Sequence, residues 1–324
     1  MSISVRTDLA QEAYEMLTEA AEELSGIESH NETTEGIGIH RVLVKTDEAA
    51  SRIGKPCGNY ITVELPSLSL ATGEEISAAC RLISKELRRL LSLSPDKTVL
   101  VIGLGNRSIT PDALGPEVVS QLLITRHLFS QLSEDATEHF RPVCAISPGV
   151  LGITGIETEE IVRGVVEKVK PDCVLCIDAL AARSMHRVGA TVQLCDTGIA
   201  PGAGVGNRRH ALNRETLGVP VIALGVPTVI DAATITADTL SLITKAMKKE
   251  SGKDTPFLGV LSTMEPEDCA FLAKDALSSE IGNFIVTPKE VDLLIDKISK
   301  LVADSINHAL FEDLSPDEIT EFLS

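Results

Sequence analysis

Apolar positions along the first third of the chain recur at two different periods. Residues 8–25, DLAQEAYEMLTEAAEELS, carry them at helical spacing and predict an acidic amphipathic helix that begins at Asp8. The polar stretch behind it, SGIESHNETTEG, shows no apolar period and reads as a linker. Two runs of strand-like content follow, GIHRVLVK at 38–45 and NYITVEL at 59–65, before GEEISAACRLISKELRRLLSL at 73–93 returns to the helical period.

From Lys97 the pattern changes, because near-continuous apolar runs of strand length begin to alternate with helical segments. The runs are TVLVIGL (98–104), PVCAISPG (142–149), CVLCIDA (173–179), ATVQLCD (190–196) and PVIALGV (220–226). Helices are expected over 115–129, 157–169 and 231–249, and the tail from Pro288 to Leu323 is helical again, its last helix opening on the Ser-x-x-Glu of SPDEITEFL. Strands that are apolar on both sides must be covered on both faces, so the expected fold is α/β, a mostly parallel sheet with flanking helices and small N-terminal α+β additions. The additions span 9–95 and the main sheet with its C-terminal helices 96–324, within one domain.

Composition narrows the function. A chain of 324 residues with 44% hydrophobic content buries a full core, and 47 acidic against 29 basic residues give a net charge of −18. Such a charge argues against direct nucleic-acid binding, which rests on cationic neutralisation of phosphates, and leaves a basic protein partner open. Neither a signal-peptide h-region nor an apolar run long enough for a membrane span is visible, so a cytosolic protein without a membrane partner is expected. Seven scattered cysteines fit reduced core thiols better than a disulfide framework. Cys173 and Cys176 form a CxxC inside a strand, where an offset of three sends the side chains to opposite faces and favours packing over metal or redox use.

Open parallel sheets place their sites beyond the carboxyl ends of the strands. Four segments qualify: GLGNRSITPDALGP (103–116), SPGVLGITGIET (147–158), IDALAARS (177–184) and DTGIAPGAGVGNRR (196–209). Asp112 and Asp178 follow two different strands and can meet across the sheet edge. Two close carboxyls do not both ionise; one keeps a proton as general acid while the other activates water, which suffices for amide hydrolysis without metal or cofactor. An Asp in such a place is more often a turn former or helix cap, and Asp196 is a third contender of the same kind. Backbone amides near Gly105 and Asn106 are candidates for polarising a carbonyl, and Arg208 for holding a substrate carboxylate, with a solvated loop charge as its alternative. The glycines of PGAGVGNRR lack the Gly-Lys-Ser/Thr ending of a phosphate loop, and neither HExxH nor GxSxG occurs.

The strings GLGNRSITPDALGP, LLITRHLF, SPGVLGITGIETEEI, IDALAARS, DTGIAPGAGVGNRR, ETLGVPVIALGVPTVIDAATIT and FIVTPKEVD, in this order, closely resemble the spore germination protease family, from Ser4 to about Leu310. The resemblance implies an atypical aspartic endopeptidase with a phosphorylase/hydrolase-like fold similar to that of hydrogenase-maturation peptidases, needing no cofactor and no metal. Its catalytic pair falls on Asp112 and Asp178, which leaves Asp196 a neighbour. The family is made as a zymogen that clips its own N-terminus, and SVRTDLAQEA resembles that site, implying a propeptide of residues 1–8 cut between Asp8 and Leu9. It further implies small acid-soluble spore proteins as substrate, a homotetramer, and action in the forespore or spore core during germination. Rival readings are a metal-dependent peptidase using the same acidic residues as ligands and a non-catalytic scaffold that only binds spore proteins.

Overall fold

The computed structural model describes residues 7–19, 25–68, 70–131, 133, 140–202, 210–249, 284–312 and 314–323. Helix α1 (Ala10–Glu19) precedes a hairpin of β1 (Ile27–Thr34) and β2 (Ile37–Val44). The short helix α2 (Asp47–Ile53) starts at Thr46, whose hydroxyl accepts from the Ala49 N–H at 3.2 Å, and leads into β3 (Gly58–Glu64). In α3 (Gly73–Leu91) a reciprocal pair caps the first turn: the Thr72 hydroxyl accepts from the Glu75 N–H, and the Glu75 carboxylate from the Thr72 N–H. The αβ alternation follows with β4 (Val99–Gly103), α4 (Leu114–Val119), β5 (Val143–Ile146), α5 (Leu151–Thr154), α6 (Thr158–Val169), β6 (Cys173–Ala182) and β7 (Thr191–Cys195). The chain ends with α7 (Arg214–Leu217), β8 (Val221–Asp231), α8 (Ala232–Lys249), β9 (Ile285–Val286), α9 (Val291–Leu310) and α10 (Pro316–Leu323).

The strands form one sheet in the order β1-β2-β3-β7-β8-β6-β4-β5, with β9 attached to β8. Strands β8, β6, β4 and β5 are mutually parallel, as their doubly apolar sequences require, and β1 and β3 run the same way. The expected α/β class therefore holds, with β7 inserted antiparallel between β3 and β8. One face carries Val99, Val101, Leu175 and Leu194 against α3, α4 and α9; the other carries Leu100, Ile102, Cys176 and Cys195 against α1, α2 and α6. The two sides of the CxxC separate as its spacing predicts, Cys173 into the first core and Cys176 into the second.

Two expectations give way. The stretch read as a linker is β1, paired with β2 from Ile27↔Val44 to Thr34↔Ile37. It is an exposed edge strand with no apolar face to announce it, held by backbone pairing and by ion pairs such as Arg41–Glu32 at 2.9 Å. The helix expected over 115–129 stops at Val119, because tertiary partners take the backbone groups beyond it. The Asn307 side chain accepts from Leu123 N–H at 3.0 Å and donates to Gln121 O at 3.2 Å, while the Thr125 N–H donates to Val143 O at 3.1 Å. Among the described residues no helix is long and apolar enough to cross a membrane.

Candidate active site

Asp112 sits on the loop between β4 and α4, in a short 3-10 turn opened by Pro111. The loop leaves β4 through Gly105, whose φ of +112° belongs to the region glycine tolerates, and a side chain there would collide with the Asp112 carbonyl oxygen. The Asn106 N–H donates both to Asp112 O at 3.0 Å and to Asp112 Oδ2 at 2.9 Å. The Asn106 side chain closes an Asx turn by accepting from the Ser108 N–H at 3.0 Å. From β8 the Thr228 hydroxyl pins the loop by donating to Pro111 O at 2.7 Å.

Asp178 projects from β6 on the same face as Cys176 and is 6% exposed, with Oδ1 accepting from the Ala179 N–H at 2.9 Å. Gly103 pairs with Ile177, and the Leu104 N–H continues that ladder to Ile177 O at 2.8 Å. The start of the Asp112 loop thus runs beside Asp178. Asp112 Oδ1 lies 3.2 Å from where a Cβ on Gly105 would stand, so its carboxyl leans over that start. Both aspartates line one cavity of about 760 Å³, together with Asp8, Lys55, Gln193 and Gly225. A pair of carboxyls at such a cavity is equipped for general acid–base chemistry on a bound amide.

The remaining expected residues divide. Gly105 lines the cavity, and the Asn106 N–H behind it is committed to Asp112. Asp196 turns toward β3, where Oδ1 accepts from the Asn59 N–H at 2.8 Å and Oδ2 from Asn59 Nδ2 at 2.6 Å, a tie between loop and strand. Arg208 lies outside the described residues.

The sequence profile of the germination protease family matches residues 4–257 and 244–323. The germination protease of Clostridium acetobutylicum is 46% identical over 325 residues, covering 99% of each chain. That of Clostridium tetani is 46% identical over 323 residues, 99% of this chain and 100% of its own. The chain belongs to the germination protease family. It is therefore a peptidase, a hydrolase of peptide bonds. The germination protease of Geobacillus sp. WCH70 is 44% identical over 356 residues, 97% of this chain and 95% of its own. A solved NiFe hydrogenase maturation protease, HycI of Thermococcus kodakarensis, aligns with 68% of this chain and 98% of its own at 15% identity and a TM-score of 0.33.

In this chain the segment at Asp8 is built into the same cavity. The Asp8 N–H donates to Ala181 O at 3.0 Å and Asp8 Oδ2 accepts from the Ala181 N–H at 2.8 Å, one backbone and one side-chain bond that tie the segment to β6. Leu9 is fully buried against Leu180 and Ala182. Lys55 and Gln193, which also touch this segment, were not foreseen. Gln193 left a signal, as the one amide in the apolar run ATVQLC; Lys55 left none, because a lysine after a short helix reads as solvated surface.

Proposed function

We propose that the chain is an endopeptidase that opens the degradation of small acid-soluble spore proteins during germination. Asp112 and Asp178 work as a pair: one carboxylate takes a proton from water as it adds to the scissile carbonyl, and the other, protonated, delivers its proton to the departing nitrogen. The enzyme is made as a zymogen, residues 1–8 being a propeptide removed by its own cleavage between Asp8 and Leu9, and residues 9–324 form the peptidase. It works as a homotetramer in the forespore and spore core.

The observation that carries the reading is the meeting of Asp112, Asp178 and Asp8 around one cavity, although the three are far apart in sequence. An enzyme that cuts itself after Asp8 needs that residue within reach of its acid and base. The bonds from Asp8 to Ala181, three residues beyond Asp178 on the same strand, are consistent with such reach.

The test is intact-mass analysis of a small acid-soluble spore protein incubated with the wild type and with Asp178→Asn. The wild type is expected to cut after an acidic residue, and the variant to be slower by at least about 10³-fold. Equal cutting by both sinks the aspartate pair. Stoichiometric binding with no product peptide sinks the endopeptidase reading.

A further inference from the structure

The Asp8 carbonyl oxygen receives two side-chain donors, Lys55 Nζ at 2.9 Å and Gln193 Nε2 at 3.0 Å. Lys55 comes from the turn between α2 and β3, Gln193 from β7, so two separate parts of the fold converge on one peptide oxygen. Gln193 also holds the other side of the Asp8–Leu9 bond, its Oε1 accepting from the Ala10 N–H at 2.7 Å. The Asp8 carboxylate is held by the Ala181 N–H, and the Leu9 side chain is packed among Leu180, Ala182, Val188 and Ile199.

The donors are unusual for a merely anchored terminus. Lys55 Nζ donates to two neutral carbonyl oxygens, Thr7 O at 3.1 Å and Asp8 O, and among the described residues makes no ion pair with a carboxylate. Burial holds its ammonium below the ordinary lysine pKa, with the Asp8 charge pulling the other way. Desolvating an ammonium to meet a neutral carbonyl stabilises a fold poorly. The same arrangement is effective where the oxygen acquires negative charge, because donors already fixed in place then need no reorganisation.

The strand register connects this cradle to the aspartates. Gln193 pairs with Gly225 on one side of β8, and Asp178 pairs with Gly225 on the other. Gln193 and Asp178 are thus level on the same face of the sheet, two strand spacings or roughly 10 Å apart at the backbone. Between them stands a glycine, where a Cβ would meet Leu180 Cδ1 at 2.6 Å. Asn106 N–H being committed to Asp112, the cradle fills the electrophilic position that the β4 loop leaves open.

We infer that Lys55 and Gln193 form the oxyanion cradle of this peptidase, and that Thr7–Ala10 is a self-bound substrate lying in it. The inference rests on the reading that Asp8–Leu9 is the bond cut. Water adds to the Asp8 carbonyl carbon as one of its protons passes to the ionised aspartate. The carbonyl oxygen takes negative charge between Lys55 Nζ and Gln193 Nε2. Collapse breaks the C–N bond while the protonated aspartate gives its proton to the Leu9 nitrogen, leaving a carboxylic acid on Asp8 and a free amine on Leu9. Until that happens the segment occupies the place of any other substrate.

The experiment follows conversion of the full chain to its 9–324 product by intact mass, for the wild type, Asp178→Asn, Lys55→Met, Lys55→Arg and Gln193→Glu, with a melting temperature for each. Gln193→Glu keeps the acceptor for the Ala10 N–H and replaces the donor. Lys55→Met and Gln193→Glu are each expected to slow conversion by about 10²–10³-fold. Lys55→Arg, which keeps the cation, is expected to stay within roughly tenfold of the wild type. A merely anchoring lysine predicts that rate follows melting temperature with no rescue by Arg, and that result overturns the cradle. So do wild-type rates in Lys55→Met and Gln193→Glu while Asp178→Asn is inert. A wild type that does not cut at Asp8–Leu9, or an Asp178→Asn that does, overturns the underlying reading and the cradle with it.

Discussion

The backbone N–H of Asn106 bonds to Asp112 twice, at its carbonyl oxygen and at Oδ2, so one amide fixes both the chain and the carboxyl of that aspartate. The arrangement depends on Gly105, which turns the loop at a positive φ and leaves room for the Asp112 carbonyl. Gly105→Ala imposes backbone strain and a collision together. It is expected to lower kcat/KM on a small acid-soluble spore protein by about 10²-fold or more, and to cost about 2 kcal/mol of stability in urea unfolding. Near-normal activity in this variant would mean that Asp112 needs no such fixing.

Glu12 predicts a loss of stability. Its carboxylate is 2% exposed, accepts from the Arg183 N–H at 2.7 Å and the Ser184 N–H at 2.9 Å, and also takes the Thr7 hydroxyl. Glu12→Ala leaves these donors without their acceptor, for an expected cost of about 2–4 kcal/mol. Glu12→Gln retains one good acceptor and should lose less. Denaturant midpoints of the two variants check the order, and equal losses would show that the charge matters and the hydrogen bonds do not.

These two cases mark where the sequence was readable. The doubly apolar runs around Val101, Leu175 and Leu224 declared buried parallel strands, since few other environments accept such residues on both faces. Asp112 was legible as a loop residue beyond a strand, whereas Asp178, expected just after its strand, lies within β6, which runs on to Ala182 because β8 continues to pair with it; the special standing of both came from the family resemblance. What stayed hidden depends on partners remote in sequence. Nothing near Val119 announces that Asn307 will halt its helix, and the exposed strand β1 has a ladder and no apolar period. Lys55 and Gln193 acquire meaning only when the turn after α2, the strand β7 and the segment at Asp8 are brought together. Local pattern encodes which face a side chain takes; it does not encode which carbonyl it will meet.

Arg141 offers a stability test far from the cavity. Its guanidinium donates to Ser94 O at 2.9 Å, Lys97 O at 3.2 Å, Leu310 O at 3.3 Å and Leu93 O at 3.4 Å, gathering the ends of α3 and α9 at the start of β4. Burial pulls its pKa below the ordinary arginine value, and the group remains charged at any working pH. Arg141→Met keeps the apolar stem and abandons these carbonyls, so about 3 kcal/mol should be lost with the peptidase rate unchanged at low temperature. A change below about 0.5 kcal/mol would show that solvent satisfies the carbonyls equally well.

Acid should loosen the helix that follows Asp8. Glu15 on α1 is held by Arg187 through two bonds, Nη2 to Oε1 at 2.7 Å and Nη1 to Oε2 at 2.8 Å. Partial burial pushes the Glu15 pKa up, but the Arg187 hydrogen bonds and charge together outweigh it, and the folded value lies below that of an ordinary glutamate. A depressed carboxyl pKa contributes stability that is complete above the unfolded value, about 4.3, and drains away as pH falls through the folded one. The stability gap between the wild type and Glu15→Gln should thus be constant from pH 7 to about pH 5 and close below about pH 4. The pair is partly exposed, which limits that gap to about 1 kcal/mol or less. A gap that survives unchanged to pH 3 in urea unfolding would assign the loss in Glu15→Gln to packing and remove the ion pair from the account of how α1 is held.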